Sequence, residues 1–142
     1  MIAFGEALDE ALGDRRGLTR YGEARVPMDE ALAHAVVDLS GRATATISIT
    51  PDPGMAAHAF QSLAQNARIT LHVTATGQND HHVAEAAFKA VGRALAQALT
   101  RDGTLVRSTK GSLWATWSWS TTGPATRDRF GRRWRTSAFR VS

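Results

Sequence analysis

Arg68-Ile69-Thr70-Leu71-His72-Val73-Thr74, continuing through a short Gly77-containing turn into Asn79-Asp80-His81-His82-Val83-Ala84-Glu85, decides how this chain folds. In the first part Ile69, Leu71 and Val73 alternate with Thr70, His72 and Thr74, the period of a half-buried strand. His72 therefore points away from the apolar face. The second part opens a helix predicted over residues 81–99, with Asp80 as its N-cap. Along it Ala84, Phe88, Val91, Leu95 and Leu99 form the expected core stripe. His81, Glu85 and Lys89 fall at i, i+4 and i+8 and make a separate polar row. His82 is rotated about 100° from His81, so the two imidazoles face different directions.

Three of the five histidines lie between positions 72 and 82, in a chain without cysteine. Nitrogen donors plus a carboxylate, with no thiolate, favour a divalent ion such as Mn, Fe or Zn. A diverging pair suits two ions better than one chelate. The bland alternative is a solvated first turn of a helix. His72 tips the reading toward metal, on the expectation that strand and helix bring it near the pair. His34 and His58 fit no motif and read as surface or partly buried histidines. Asp29 and Glu30 read as an acid/base pair or, equally, as solvated or capping residues.

Outward from this segment, residues 2–13 carry Ile2, Phe4, Leu8, Ala11 and Leu12 on a helical stripe ended by Gly13. Asp14 to Gly17 is a charged turn. Residues 29–39 are ambiguous, because Asp29-Glu30-Ala31-Leu32-Ala33 has high helix propensity while Ala35, Val37 and Leu39 alternate with Val36 and Asp38. Residues 43–50 read as a strand closed by Pro51-Asp52-Pro53-Gly54. Residues 56–67 read as a helix through Ala59, Phe60, Leu63 and Ala67.

Length and composition bound the rest. A chain of 142 residues, 43% hydrophobic and 21% charged, is one ordinary globular domain. Absence of cysteine excludes a disulfide framework. No apolar run approaches the ~20 residues of a membrane helix, and the start lacks a signal-peptide pattern. A cytoplasmic protein without a membrane partner is the expectation. Residues 113–142 hold six arginines against Asp128 and all four tryptophans, a net of +5 that leaves about −1 for residues 1–112 of a chain whose total is +4. Interleaved arginine and tryptophan can bind single-stranded nucleic acid, but no recognisable module accompanies them, and nucleic acid is not the expected partner. Residues 114–142 read as an unrelated, poorly ordered extension.

Further blocks carry a family resemblance: Tyr21-Gly22, Val26-Pro27-Met28-Asp29-Glu30-Ala31-Leu32 and Asp38-Leu39-Ser40-Gly41-Arg42. With them go Asn66 to Val73, Asn79 to Glu85, Phe88-Lys89-Ala90 and Ser108-Thr109-Lys110-Gly111. In this order, over roughly residues 2–113, they resemble imidazoleglycerol-phosphate dehydratase of histidine biosynthesis. The resemblance implies a homo-oligomeric manganese (Mn2+) enzyme that removes water from imidazole glycerol phosphate to give imidazole acetol phosphate. It makes residues 29–39 a strand and implies an α/β (α+β) two-layer sandwich, a mixed four-stranded sheet with helices on one face. That half-repeat is related in fold to a domain of a small-subunit ribosomal protein. By the same resemblance His72, His81, His82 and Glu85 are catalytic metal ligands, and Arg20, Arg42, Lys89, Ser108 and Lys110 bind the substrate phosphate. Such chains have two similar halves, each with a strand histidine and a His-His-x-x-Glu. Here residues 1–17 are expected to be the terminal helix of a first repeat and residues 18–113 the second repeat. The first-half metal motif is not in the sequence, so activity is expected to need a complementing first half.

Overall fold

The computed structural model describes residues 1–52 and 54–101. Seven elements follow one another: α1 (Ile2–Leu12), β1 (Tyr21–Met28), β2 (Ala31–Asp38), β3 (Thr44–Thr50), α2 (Ala56–Asn66), β4 (Thr70–Thr76) and α3 (Asp80–Ala98). The strands form one sheet in the order β1-β2-β4-β3. β2 runs antiparallel to both β1 and β4, while β3 and β4 are parallel, joined across α2. This is the expected mixed four-stranded sheet. Ser108, Lys110 and the 114–142 segment lie outside the described residues.

β2 shows tertiary pairing overriding local propensity. As a central strand it is hydrogen-bonded on both sides. Ala33, Ala35 and Val37 are buried, whereas Leu32 is exposed and His34, Val36 and Asp38 only partly buried. β4 alternates in step: Leu71, Val73 and Ala75 are buried, and His72, Thr74 and Thr76 exposed. α3 packs on β1, β2 and β4, α2 packs mainly on β3, and α1 packs on α2. The three described helices thus lie on one face of the sheet. Among the described residues no element covers the other face, where Thr44, Thr46 and Ser48 of β3 lie beside Thr70, His72 and Thr74 of β4.

Within α3 the buried face differs from the expected stripe. Val83, Ala86, Ala87, Ala90, Val91, Ala94, Leu95 and Ala98 are buried, while Phe88 is 44% exposed and Leu99 only partly buried. Phe88 still reaches back to Phe60, with ring centroids 4.6 Å apart. The reason is the size of alanine, which lets the helix axis settle close to the strands. A Cβ on Gly22 of β1 would lie 1.9 Å from the Ala94 carbonyl oxygen. The buried stripe of α1 is likewise narrower than expected: Gly5 and Leu12 are buried, but Ile2 and Phe4 are exposed. Asp9 ties α1 down by pairing with Arg15 and, at 2.9 Å, with Arg68, while Arg15 also donates to the carbonyls of Ala67 (2.9 Å) and Arg68 (3.0 Å).

Candidate functional site at the entrance of α3

The β4–α3 turn and the β1–β2 hairpin tip meet, and that meeting arranges the histidine pair. Asn79, rather than Asp80, is the N-cap of α3. Its side-chain oxygen accepts hydrogen bonds from the amides of His81 (2.9 Å) and His82 (3.3 Å), and Asp80 falls in the first turn, where an acid suits the helix dipole. Glu30 sits on the two-residue turn between β1 and β2. Its Oε1 accepts from the amides of Gln78 (3.1 Å) and Asn79 (2.8 Å), and its Oε2 lies 2.8 Å from Nδ1 of His82. Asp29 Oδ2 is 3.5 Å from the other ring nitrogen, Nε2.

The two imidazoles diverge, with ring centroids 6.2 Å apart. His82 turns toward the hairpin and is 26% exposed, while His81 is 80% exposed and faces along the helix. His81 Nε2 lies 3.4 Å from Glu85 Oε2, and Lys89 Nζ lies 2.6 Å from Glu85 Oε1. The row of His81, Glu85 and Lys89 expected from i, i+4 spacing is therefore formed. Two donors bound ~2.1 Å from one ion at right angles would sit roughly 3 Å apart. The His81–Glu85 separation of 3.4 Å is close to that, with the other Glu85 oxygen held by Lys89.

Electrostatics at the entrance are mutual. The His82 hydrogen bond, then the Asn79 amide, lower the Glu30 carboxyl from its ordinary 4.5 to about 2. Glu30 in turn raises His82 above the usual 6.5, against the positive end of the helix dipole. Lys89 lowers the Glu85 carboxyl. A depressed carboxyl contributes stability above 4.5 that is lost as pH falls toward 2. A raised histidine contributes stability below 6.5 that is lost as pH rises through its raised value. The destabilisation caused by His82→Ala, followed by denaturant unfolding across pH, is thus expected to be largest between 4.5 and 6.5 and to shrink on both sides.

His72 does not join this group. It lies mid-sheet on the open face, opposite Val36 of β2 and Thr46 of β3, whereas α3 covers the face of Leu71 and Val73. Alternation fixes this outcome: a side chain pointing away from the apolar face points away from the helix packed on that face. Among the described residues no three His, Cys, Asp or Glu side chains converge well enough to hold a metal ion. Instead His72 lines a shallow concavity of about 430 Å³ with His34, Val36 and Thr74. His34, unassigned from sequence, bonds Glu23 at 3.2 Å there.

The expected phosphate cations are also spread out. Arg20 holds Asp38 through Nε (2.7 Å) and Nη2 (3.1 Å) and lies 4.8 Å over the Tyr21 ring. Its pKa is raised above the ordinary arginine value, first by the Asp38 hydrogen bond. Arg42 is exposed, and its carbonyl accepts from Thr70 Oγ1 at 3.4 Å. Both arginines belong to the Asp38–Thr70 end of the sheet. The histidine pair belongs to the Ala31 end, one strand length or about 23 Å away at ~3.3 Å per residue. Lys89 stands between them, two turns along α3. Sequence reasoning missed the partnership of Glu30 with His82. A two-residue turn at Asp29-Glu30 would have signalled it, but the strand expected over residues 29–39 takes in both residues, whereas β2 begins at Ala31.

Comparison with known proteins bears on this geometry. A family model described as imidazoleglycerol-phosphate dehydratase matches residues 1–95. The imidazoleglycerol-phosphate dehydratase of Granulibacter bethesdensis is 50% identical over 124 residues, covering 79% of this chain and 63% of that protein. That of Methanosarcina mazei is 46% identical over 120 residues with the same coverage, 79% and 63%. The chain thus spans about 63% of the length of these curated relatives. The Staphylococcus aureus imidazoleglycerol-phosphate dehydratase structure superposes with a TM-score of 0.66 at 39% identity, covering 70% of this chain and 64% of that one. A Pyrococcus furiosus structure gives 0.67 at 36% identity, covering 78% and 68%.

Proposed function

This chain belongs to the imidazoleglycerol-phosphate dehydratase family, and from that premise we propose that it contributes one half of a dehydratase site in histidine biosynthesis. The reaction removes a carbon-bound proton and a hydroxide from adjacent carbons of imidazole glycerol phosphate, leaving imidazole acetol phosphate. The single observation that carries this reading is the exposed donor pair of His81 and Glu85, 3.4 Å apart beside a separately anchored His82.

The donor set of one chain does not fit a complete manganese site. His81 and Glu85 supply two ligands, His82 faces Asp29, and His72 is on the far face of the sheet, so an ion held by one chain would keep about two protein ligands, short of a stable open site. We therefore assign His72 and the α3 donors to different ions or different partners, completed by another copy or by a chain carrying a first repeat. A bound divalent ion would supply Lewis acidity toward the substrate's imidazole nitrogen. Lys89 and Arg42 offer charge-assisted hydrogen bonds to a phosphate. Arg20 and Lys89 are the weaker candidates, because Asp38 and Glu85 already pair with them.

The test is an assay of imidazole glycerol phosphate dehydration with Mn2+, for this chain alone and mixed with a separately expressed first repeat. Turnover that appears on mixing is expected. Absence of turnover at any mixing ratio, with both components folded, would refute the dehydratase reading.

A further inference from the structure

We propose that Glu30 is a positioning residue that fixes His82 as its Nδ1–H tautomer and so presents Nε2 with its lone pair outward. The use made of Nε2 rests on the dehydratase reading above, but the tautomer does not.

The argument begins with the carboxylate. Its Oε1 is held by two backbone amides, Gln78 at 3.1 Å and Asn79 at 2.8 Å, which pin the hairpin tip against the entrance of α3. That leaves Oε2 facing Nδ1 of His82 at 2.8 Å. A carboxylate can only accept, so Nδ1 must carry the hydrogen, and in the neutral ring the lone pair is then on Nε2. Asp29 is the competitor, since its Oδ2 would favour a hydrogen on Nε2. It is 3.5 Å away and 74% exposed, beyond a normal hydrogen bond and well solvated, so the shorter, anchored contact wins. In the neutral ring Nε2 then faces the solvated Asp29 carboxylate with its lone pair free to accept. Histidines that bind metals commonly donate their second nitrogen to a carboxylate in this way, and losing that partner costs 10–100-fold in metal affinity as a rough range.

Glu30→Gln separates positioning from mere support. The glutamine oxygen can still accept from the Gln78 and Asn79 amides, so the hairpin anchor is retained. Its NH2 group now faces His82 and donates, which forces the lone pair onto Nδ1 and the hydrogen onto Nε2. Imidazole 15N spectra of the metal-free chain at alkaline pH, assigned with His82→Ala, read this directly. The expected result is Nδ1–H for His82 in the native chain and Nε2–H in Glu30→Gln. A native Nε2–H ring, or a tautomer unchanged by the substitution, would overturn the proposal. A Mn2+ titration of the chain mixed with a first repeat forms the second arm, with affinity expected to fall roughly 10–100-fold in Glu30→Gln. Equal affinity would overturn the assignment of Nε2 as the presented atom. A native chain that shows the expected tautomer but takes up no Mn2+ in the mixture would sink the dehydratase reading while supporting the role of Glu30.

Discussion

Replacing His81 and His82 together by alanine is expected to abolish dehydration by the mixed assembly, with a loss of at least about 100-fold, the upper end of what an outer-sphere partner alone costs. The two rings act on separate sides: His81 pairs with Glu85 and His82 is held by Glu30. Removing both therefore takes one donor from each side and leaves Glu85 paired with Lys89 alone. The core beneath is made by Val83, Ala86 and Ala87, so the fold should tolerate the change. Unaltered far-ultraviolet circular dichroism with lost turnover is the expected combination. Turnover surviving in the double variant would overturn the assignment of these residues.

Gly22→Ala is expected to have the largest effect on stability. An added Cβ would lie 1.9 Å from the Ala94 carbonyl oxygen, 2.8 Å from its carbon and 2.9 Å from the Ala98 amide nitrogen. All three are backbone atoms of one helix, so no side-chain rotation can relieve the clash. Overpacking of a tight core costs about 1–3 kcal/mol and occasionally more. Here α3 itself must lift from β1, so about 3 kcal/mol or more is expected, read as a lower urea midpoint at unchanged slope. The same shift should follow enlarging Ala94 or Ala98, whereas alanine at Gly92, with open space around it, should be tolerated.

Much of this fold was legible because its periods are strong. The alternation of residues 69–74 gave β4 and the orientation of His72, and i, i+4 spacing gave the row of His81, Glu85 and Lys89. Two things were hidden. Large side chains dominate a hydrophobic stripe, so Phe88 and Leu99 outweighed the alanines that actually face the sheet. The strand expected over residues 29–39 also obscured the hairpin at Asp29-Glu30, whose conformation is set by strand pairing between Met28 and Ala31. The placement of His72 was implicit from the start: if it points away from the apolar face and the helices cover that face, it cannot meet His81 in the same copy. The expected sheet with helices on one face already joins those two facts, and the structure makes the conflict explicit.

The most direct test of a ligand set divided between chains is Mn2+ affinity at high dilution, compared with affinity after adding a first-repeat chain or concentrating this one. Weak binding that tightens with either addition is the predicted result. Tight binding by the dilute monomer, lost in both His72→Ala and His81→Ala, would contradict it, because one copy would then be closing a site that the sheet separates.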